Sequence, residues 1–156
     1  AAAAEAVAGM AVAGEEVQAV FVAPPEVVPD PPANVLVLPR VPQLALLPRV
    51  AAVVTHGGHN TVCEALSHGI PLVVAPIRDD QPVIADQVVS AGAGVRVKFG
   101  RVTARVLREA LDAVLTDPAH RAGAERVRDS FAAAGGAPLA ADRLEALLAL
   151  RAPART

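Results

Sequence analysis

The chain has 156 residues, 53% of them hydrophobic, a net charge of −2 and three aromatic side chains, all Phe. That length suits one domain with a core of its own, and the apolar content excludes a disordered chain. Neither the near-neutral charge nor the lack of Trp and Tyr fits a nucleic-acid binder, which needs a basic footprint and base-stacking rings.

Short Val-rich runs alternate with helical stretches along the chain. Ala1–Gly9 reads as a helix, followed by a strand over Val17–Ala23. Ala23–Ala33 holds five prolines and is a rigid surface loop. A second strand is expected over Val35–Leu38, a short helix near Gln43–Leu47 and a third strand over Val50–Thr55. Asn60–His68 and Pro82–Ala91 are helical, and strands over Pro71–Pro76 and Val95–Phe99 follow them in turn. The chain then closes with helices over Thr103–Leu115, Pro118–Ala134 and Pro138–Leu150. Thr103 and Asp117 have the chemistry of helix N-caps. Runs apolar on both faces are the mark of buried parallel strands. The pattern predicts an α/β fold, a doubly wound parallel sheet with helices on both faces.

No run is long enough to cross a membrane. About 18–20 uninterrupted apolar residues are needed, and the richest stretch, Leu44–Val54, is broken by Pro48 and Arg49. The Ala-rich start lacks the basic residues of a signal peptide. Cys63 is the single cysteine, which excludes an internal disulfide and fits a reducing, cytoplasmic setting.

The chemistry concentrates in Thr55-His56-Gly57-Gly58-His59-Asn60-Thr61, between a predicted strand and a predicted helix. Paired glycines allow a tight turn and close approach to a ligand. Amides of Gly58, Asn60 and Thr61 would then face outward from a helix start, where the macrodipole favours an anion. His56 and the Thr61 hydroxyl add donors for phosphate oxygens. A plain strand–helix turn capped by Asn60 is the simpler reading of the glycines alone; the flanking His and Asn-Thr favour an anion site. No G-x-G-x-x-G follows a strand, and the one lysine, Lys98, lies in a predicted strand, so neither a dinucleotide fingerprint nor a P-loop is present. His56, His59 and Cys63 do not form a zinc set, because two glycines intervene and Cys63 sits among Val62, Ala65 and Leu66, where it reads as core.

His56-Gly57-Gly58-x-Asn60-Thr61-x-x-Glu64-Ala65-Leu66, followed by Gly69-x-Pro71, Pro76 and Asp80-Gln81, resembles the donor-site signature of family-1 glycosyltransferases of the GT-B fold. Val41-Pro42-Gln43 extends the match upstream. The resemblance implies that His56, Gly58, Asn60 and Thr61 hold a diphosphate and that Arg40, Val41, Gln43 and Glu64 hold the nucleoside. It assigns the sugar to Asp80 and Gln81. The family has an aromatic base-stacker where this chain has Arg40, so stacking falls to a guanidinium plane. Glu64 points to ribose, hence UDP, and Asp80-Gln81 to a fully hydroxylated sugar such as glucose.

Neither a metal nor a cofactor is implied, and Asp79-Asp80 is not the D-x-D of metal-dependent transferases. The family's catalytic base lies in an N-terminal acceptor domain, which nothing here matches, so no catalytic residue is expected in this chain. Residues 1–150 are read as the donor-binding domain, lacking its first strand, and 151–156 as a tail. The implied function is inverting transfer of a sugar to a small lipophilic acceptor hydroxyl. A non-catalytic donor-binding subunit of a two-chain enzyme, or a nucleotide-sugar binding module, are the alternatives.

Overall fold

The structure, a computed structural model, describes residues 2–151. Ala1 and residues 152–156, nearly all of the expected tail, lie outside the described residues. Helix α1 (Ala2–Val7) leads into a small antiparallel hairpin, β1 (Ala11–Val12) and β2 (Glu15–Glu16). Strand β3 (Ala19–Val22) pairs in parallel with β4 (Val35–Leu38). After α2 (Gln43–Leu46), three parallel strands alternate with helices: β5 (Val53–Thr55), α3 (His59–Ser67), β6 (Leu72–Val74), α4 (Gln81–Ser90) and β7 (Gly94–Arg96). Helices α5 (Ala104–Thr116), α6 (Pro118–Ala133) and α7 (Gly136–Arg151) follow.

Strand β6 organises the core because both of its faces are buried. Leu72 and Val74 point into a cluster made with Val62, Leu66, Ile84 and Val88 of α3 and α4 and Ala124 of α6. Val73 points the other way, toward Val7 of α1, Val35 and the Leu107, Leu111 and Val114 stripe of α5. Helices therefore cover both faces, as a doubly wound arrangement requires. Each fully buried Val or Leu of this kind contributes roughly 1.5–3 kcal/mol.

Thr103 and Asp117 cap α5 and α6 as expected, accepting from the Val106 amide at 3.3 Å and the Ala119 amide at 2.9 Å. Three further polar ties join elements distant in the chain. Buried Asn34 donates to the carbonyls of Val7 and Val17, both at 2.7 Å. Arg108 of α5 reaches the Ala8 carbonyl at 2.6 Å, at the end of α1. Arg121 of α6 donates to Gly69 (3.0 Å) and Ala51 (2.8 Å), pinning the entrances to β6 and β5.

The structure corrects several expectations. Strand β3 is shorter than Val17–Ala23, because the Val17 amide instead donates to the Met10 carbonyl at 2.8 Å and closes the hairpin. That hairpin turns on Ala13 (φ 53°) and Gly14 (φ 86°), a two-residue turn with both φ positive. Pro48 sits in a 3-10 turn over Leu47–Arg49, which delays β5 to Val53. A similar turn over Phe99–Arg101 follows β7, so Phe99 is not in a strand. Burial on both faces holds for β6 but not for β3 and β4, where Val22 and Leu36 are 59% and 55% exposed on the face away from α5. The sheet is also divided: β3–β4 and β5–β6–β7 are separate sheets, and β3 and β5 each have one strand neighbour. Among the described residues no helix is long and apolar enough to cross a membrane.

Candidate functional site

The carboxyl ends of three parallel strands supply the residues singled out by sequence. β5 ends at Thr55, whose register partner on β6 is Val74, so the loops that follow leave the sheet side by side. The Ala75 amide donates to the Thr55 carbonyl at 2.8 Å and extends this contact beyond the strands. Such an edge is where open α/β sheets bind ligands.

The turn after β5 is built for close approach. Gly57 is buried with φ 91°, and a Cβ there would stand 2.9 Å from Val74 Cγ1 and 3.4 Å from the Gln81 carbonyl. The Gly57 amide donates to Thr55 Oγ1 at 3.2 Å, a local hydroxyl turn. At Gly58 a Cβ would lie 2.8 Å from His56 Nε2. The missing side chain thus leaves room for the imidazole beside the start of α3.

Gly58, not Asn60, is the N-cap of α3, and it has no side chain with which to cap. The first turn closes from the Val62 amide to the Gly58 carbonyl at 3.1 Å. The amides of His59, Asn60 and Thr61 precede that bond and are the free donors of the helix start. His56 and Asn60 are exposed and Thr61 half-buried, so the donors and the imidazole share one accessible rim.

A second tie joins residues 21 positions apart. Gln43 Nε2 donates to Glu64 Oε2 at 2.6 Å, linking the start of α2 to the second turn of α3. Both are half-buried, which moves Glu64 from an ordinary surface position to the inner side of the rim. Val41 is half-buried and Arg40 exposed, just upstream in the loop after β4. At the end of β6, Gln81 Oε1 accepts from the amides of Ile77 (2.9 Å) and Arg78 (3.1 Å). Asp80 is exposed at the N-cap of α4 without a capping bond, and Asp79 pairs with Arg78 at 3.4 Å as a loop charge.

Cys63 departs from its expected place in the core. It is half-buried, with Sγ 3.6 Å from Nε2 of His59 one turn earlier. Among the described residues no group of three or more His, Cys, Asp or Glu is placed to hold a metal. His68 closes α3 at its C-cap, and His120 contacts the Gly92 carbonyl at 3.3 Å; both are helix-end residues. Hollows of about 300 and 260 Å³ lie elsewhere, the first lined by Ala4, Glu5 and the proline loop and the second by Met10 and Arg108.

Parallel strands, a glycine turn onto a helix start and polar loops at adjoining strand ends are the features with which α/β domains commonly hold phosphate groups. Residues 5–147 match the family model described as "Erythromycin biosynthesis protein CIII-like, C-terminal domain", and the chain belongs to that family. It is 44% identical over 140 residues to 4'-demethylrebeccamycin synthase of Lentzea aerocolonigenes, covering 88% of this chain and 33% of that protein. Among solved structures it resembles CalG4, the calicheamicin glycosyltransferase, with a TM-score of 0.86 and 29% identity over 97% of this chain and 40% of that one. It also resembles the glycosyltransferase VinC in complex with DTDP, with a TM-score of 0.75 and 28% identity over 84% of this chain and 33% of that one. The fold is that of the C-terminal half of GT-B glycosyltransferases. The chain spans about a third of the length of the curated relative just named.

Proposed function

We propose that this chain is the donor-binding part of an inverting glycosyltransferase that moves a sugar from a nucleoside diphosphate to a hydroxyl of a small lipophilic acceptor. The observation that carries this reading is the convergence at one rim of the free α3 amides, the His56 imidazole and the Gln43–Glu64 pair.

In this reading the diphosphate lies across the amides of Gly58, Asn60 and Thr61, with His56 donating to it. Positive potential at the helix start and the imidazole stabilises the charge that develops as the nucleoside diphosphate departs. Those groups do the work of a cation, so the mechanism is metal-independent. Glu64 accepts from the ribose, Gln43 and Val41 contact the nucleoside, and the Arg40 guanidinium stacks on the base. Ribose recognition favours UDP; the DTDP bound by VinC supports a nucleoside diphosphate while leaving the base to be tested. Asp80 and Gln81 hold the hydroxyls of the sugar, glucose in this proposal.

The base that deprotonates the acceptor comes from an N-terminal acceptor domain. A cytoplasmic location, in keeping with the free Cys63, belongs to the same reading.

Titration calorimetry with UDP on the wild-type chain and on His56→Ala tests the assignment. A hydrogen bond to a charged group contributes about 1.5–3 kcal/mol, so affinity should fall roughly tenfold to a hundredfold. An unchanged affinity sinks the diphosphate site.

A further inference from the structure

Thr55, the last residue of β5, is tied to both of the loops that leave the adjoining strand ends. Its carbonyl accepts from the Ala75 amide at 2.8 Å, where the chain leaves β6. Its hydroxyl oxygen accepts from the Gly57 amide at 3.2 Å, inside the glycine turn. Alternation along the strand puts the hydroxyl where that turn can use it. Thr55 shares a face with Val53, two residues earlier, which packs against the cluster made by α3 and α4. The side chain therefore lies on the side to which the chain turns to begin α3.

The Gly57 amide is the group that needs a partner. In a parallel pair the amide of every second residue reaches the neighbouring strand, as that of Val53 reaches the Pro71 carbonyl at 3.1 Å. Gly57 stands in the same series, but with φ 91° it has left the strand, and it is buried. A buried amide without an acceptor is costly, and Thr55 Oγ1 is the acceptor this one has. Glycine enters other backbone regions freely and brings no side chain to hold the one adopted here. The hydroxyl bond is thus a local restraint on the His56-Gly57-Gly58 turn.

Resting on the donor-site reading above, we infer that Thr55 is a positioning residue for nucleotide binding. Its hydroxyl fixes the Gly57 peptide, and through it the directions of the His56 side chain and of the free amides that begin α3. Occupying the Gly57 amide also decides which donors remain, and leaves those of the α3 start for the diphosphate. The residue acts through the turn and touches no substrate.

Two substitutions separate the hydroxyl from the shape of the side chain. Thr55→Val keeps the branched shape and the preference for a strand but removes the acceptor. Thr55→Ser keeps the acceptor and loses the methyl group. Titration calorimetry gives the UDP affinity, amide hydrogen exchange reads the Gly57 bond, and urea denaturation verifies that each variant is folded. In Thr55→Val, affinity should fall about fivefold to tenfold and Gly57 exchange should accelerate by a similar factor, the worth of one hydrogen bond. In Thr55→Ser both should stay within about twofold of the wild type. A role in strand packing alone gives the reverse order, with Thr55→Val harmless and Thr55→Ser the weaker binder. That reverse order, or equal losses in the two variants, overturns the inference. If UDP affinity is absent from the wild type or indifferent to His56→Ala, the donor-site reading has failed and takes this inference with it. If affinity depends on His56 but not on the Thr55 hydroxyl, only the present inference falls.

Discussion

Gly123→Ala should lower the folding stability of this chain by about 3 kcal/mol, the upper end of ordinary overpacking. A Cβ at Gly123 would stand 2.2 Å from the Gly92 carbonyl oxygen and 2.5 Å from its carbon. Those atoms are backbone at the entrance to β7, so no side chain can swing aside. Helix α6 would have to lift, carrying with it Ala124 in the core and the Arg121 bonds to Gly69 and Ala51. Urea denaturation measures the effect as a shifted midpoint at constant slope. Gly100→Ala is the matched control, with nothing within 4 Å of the added carbon, and should move stability by no more than about 0.5 kcal/mol. If both variants unfold with the wild type, the close approach of α6 to the Gly92 turn is wrong.

Gly57→Ala should damage fold and site together. Its φ of 91° disfavours any side chain, and the added carbon meets Val74 Cγ1 at 2.9 Å. Strain of this kind costs about 1–3 kcal/mol. Relief requires the His56-Gly57-Gly58 turn to shift, and the start of α3 with it, so UDP affinity should drop at least about tenfold. Gly58→Ala is the informative contrast. There the clash, 2.8 Å, is with Nε2 at the far end of the His56 side chain, which can rotate away. Stability should then stay close to wild type while UDP affinity falls. Equal stability losses in the two variants would show that the turn is packed differently from the arrangement described.

The legible parts of this chain were those with local signals. The β5–α3–β6–α4 succession follows from Val-rich runs and the double glycine, and the alternation alone yields parallel pairing. Site residues that are neighbours in sequence, His56 through Thr61, came together because one turn carries them. What stayed hidden depends on partners distant in the chain or on unusual backbone. Gln43 and Glu64 meet only because the start of α2, after β4, comes beside the second turn of α3, after β5. The hairpin carries little local signal because Ala13, not a second glycine, takes positive φ beside Gly14. Gly94 and Gly123 were visible as letters, but their role is contact with the Leu72 and Gly92 backbones. Composition misled at β3 and β4, where Val and Leu face outward. Cys63 was misplaced for a related reason: apolar sequence neighbours on a helix point in several directions, and its own neighbour one turn back is His59.

A nitrogen-15 correlation spectrum recorded during titration with UDP tests the central claim most directly. Shift changes should concentrate at the amides of Gly57, Gly58, Asn60 and Thr61, with the Gln43 side-chain amide responding as the ribose meets Glu64. Changes confined to the hollow around Ala4, Glu5 and Val27, or spread without focus over the surface, would contradict a nucleotide site at the strand ends.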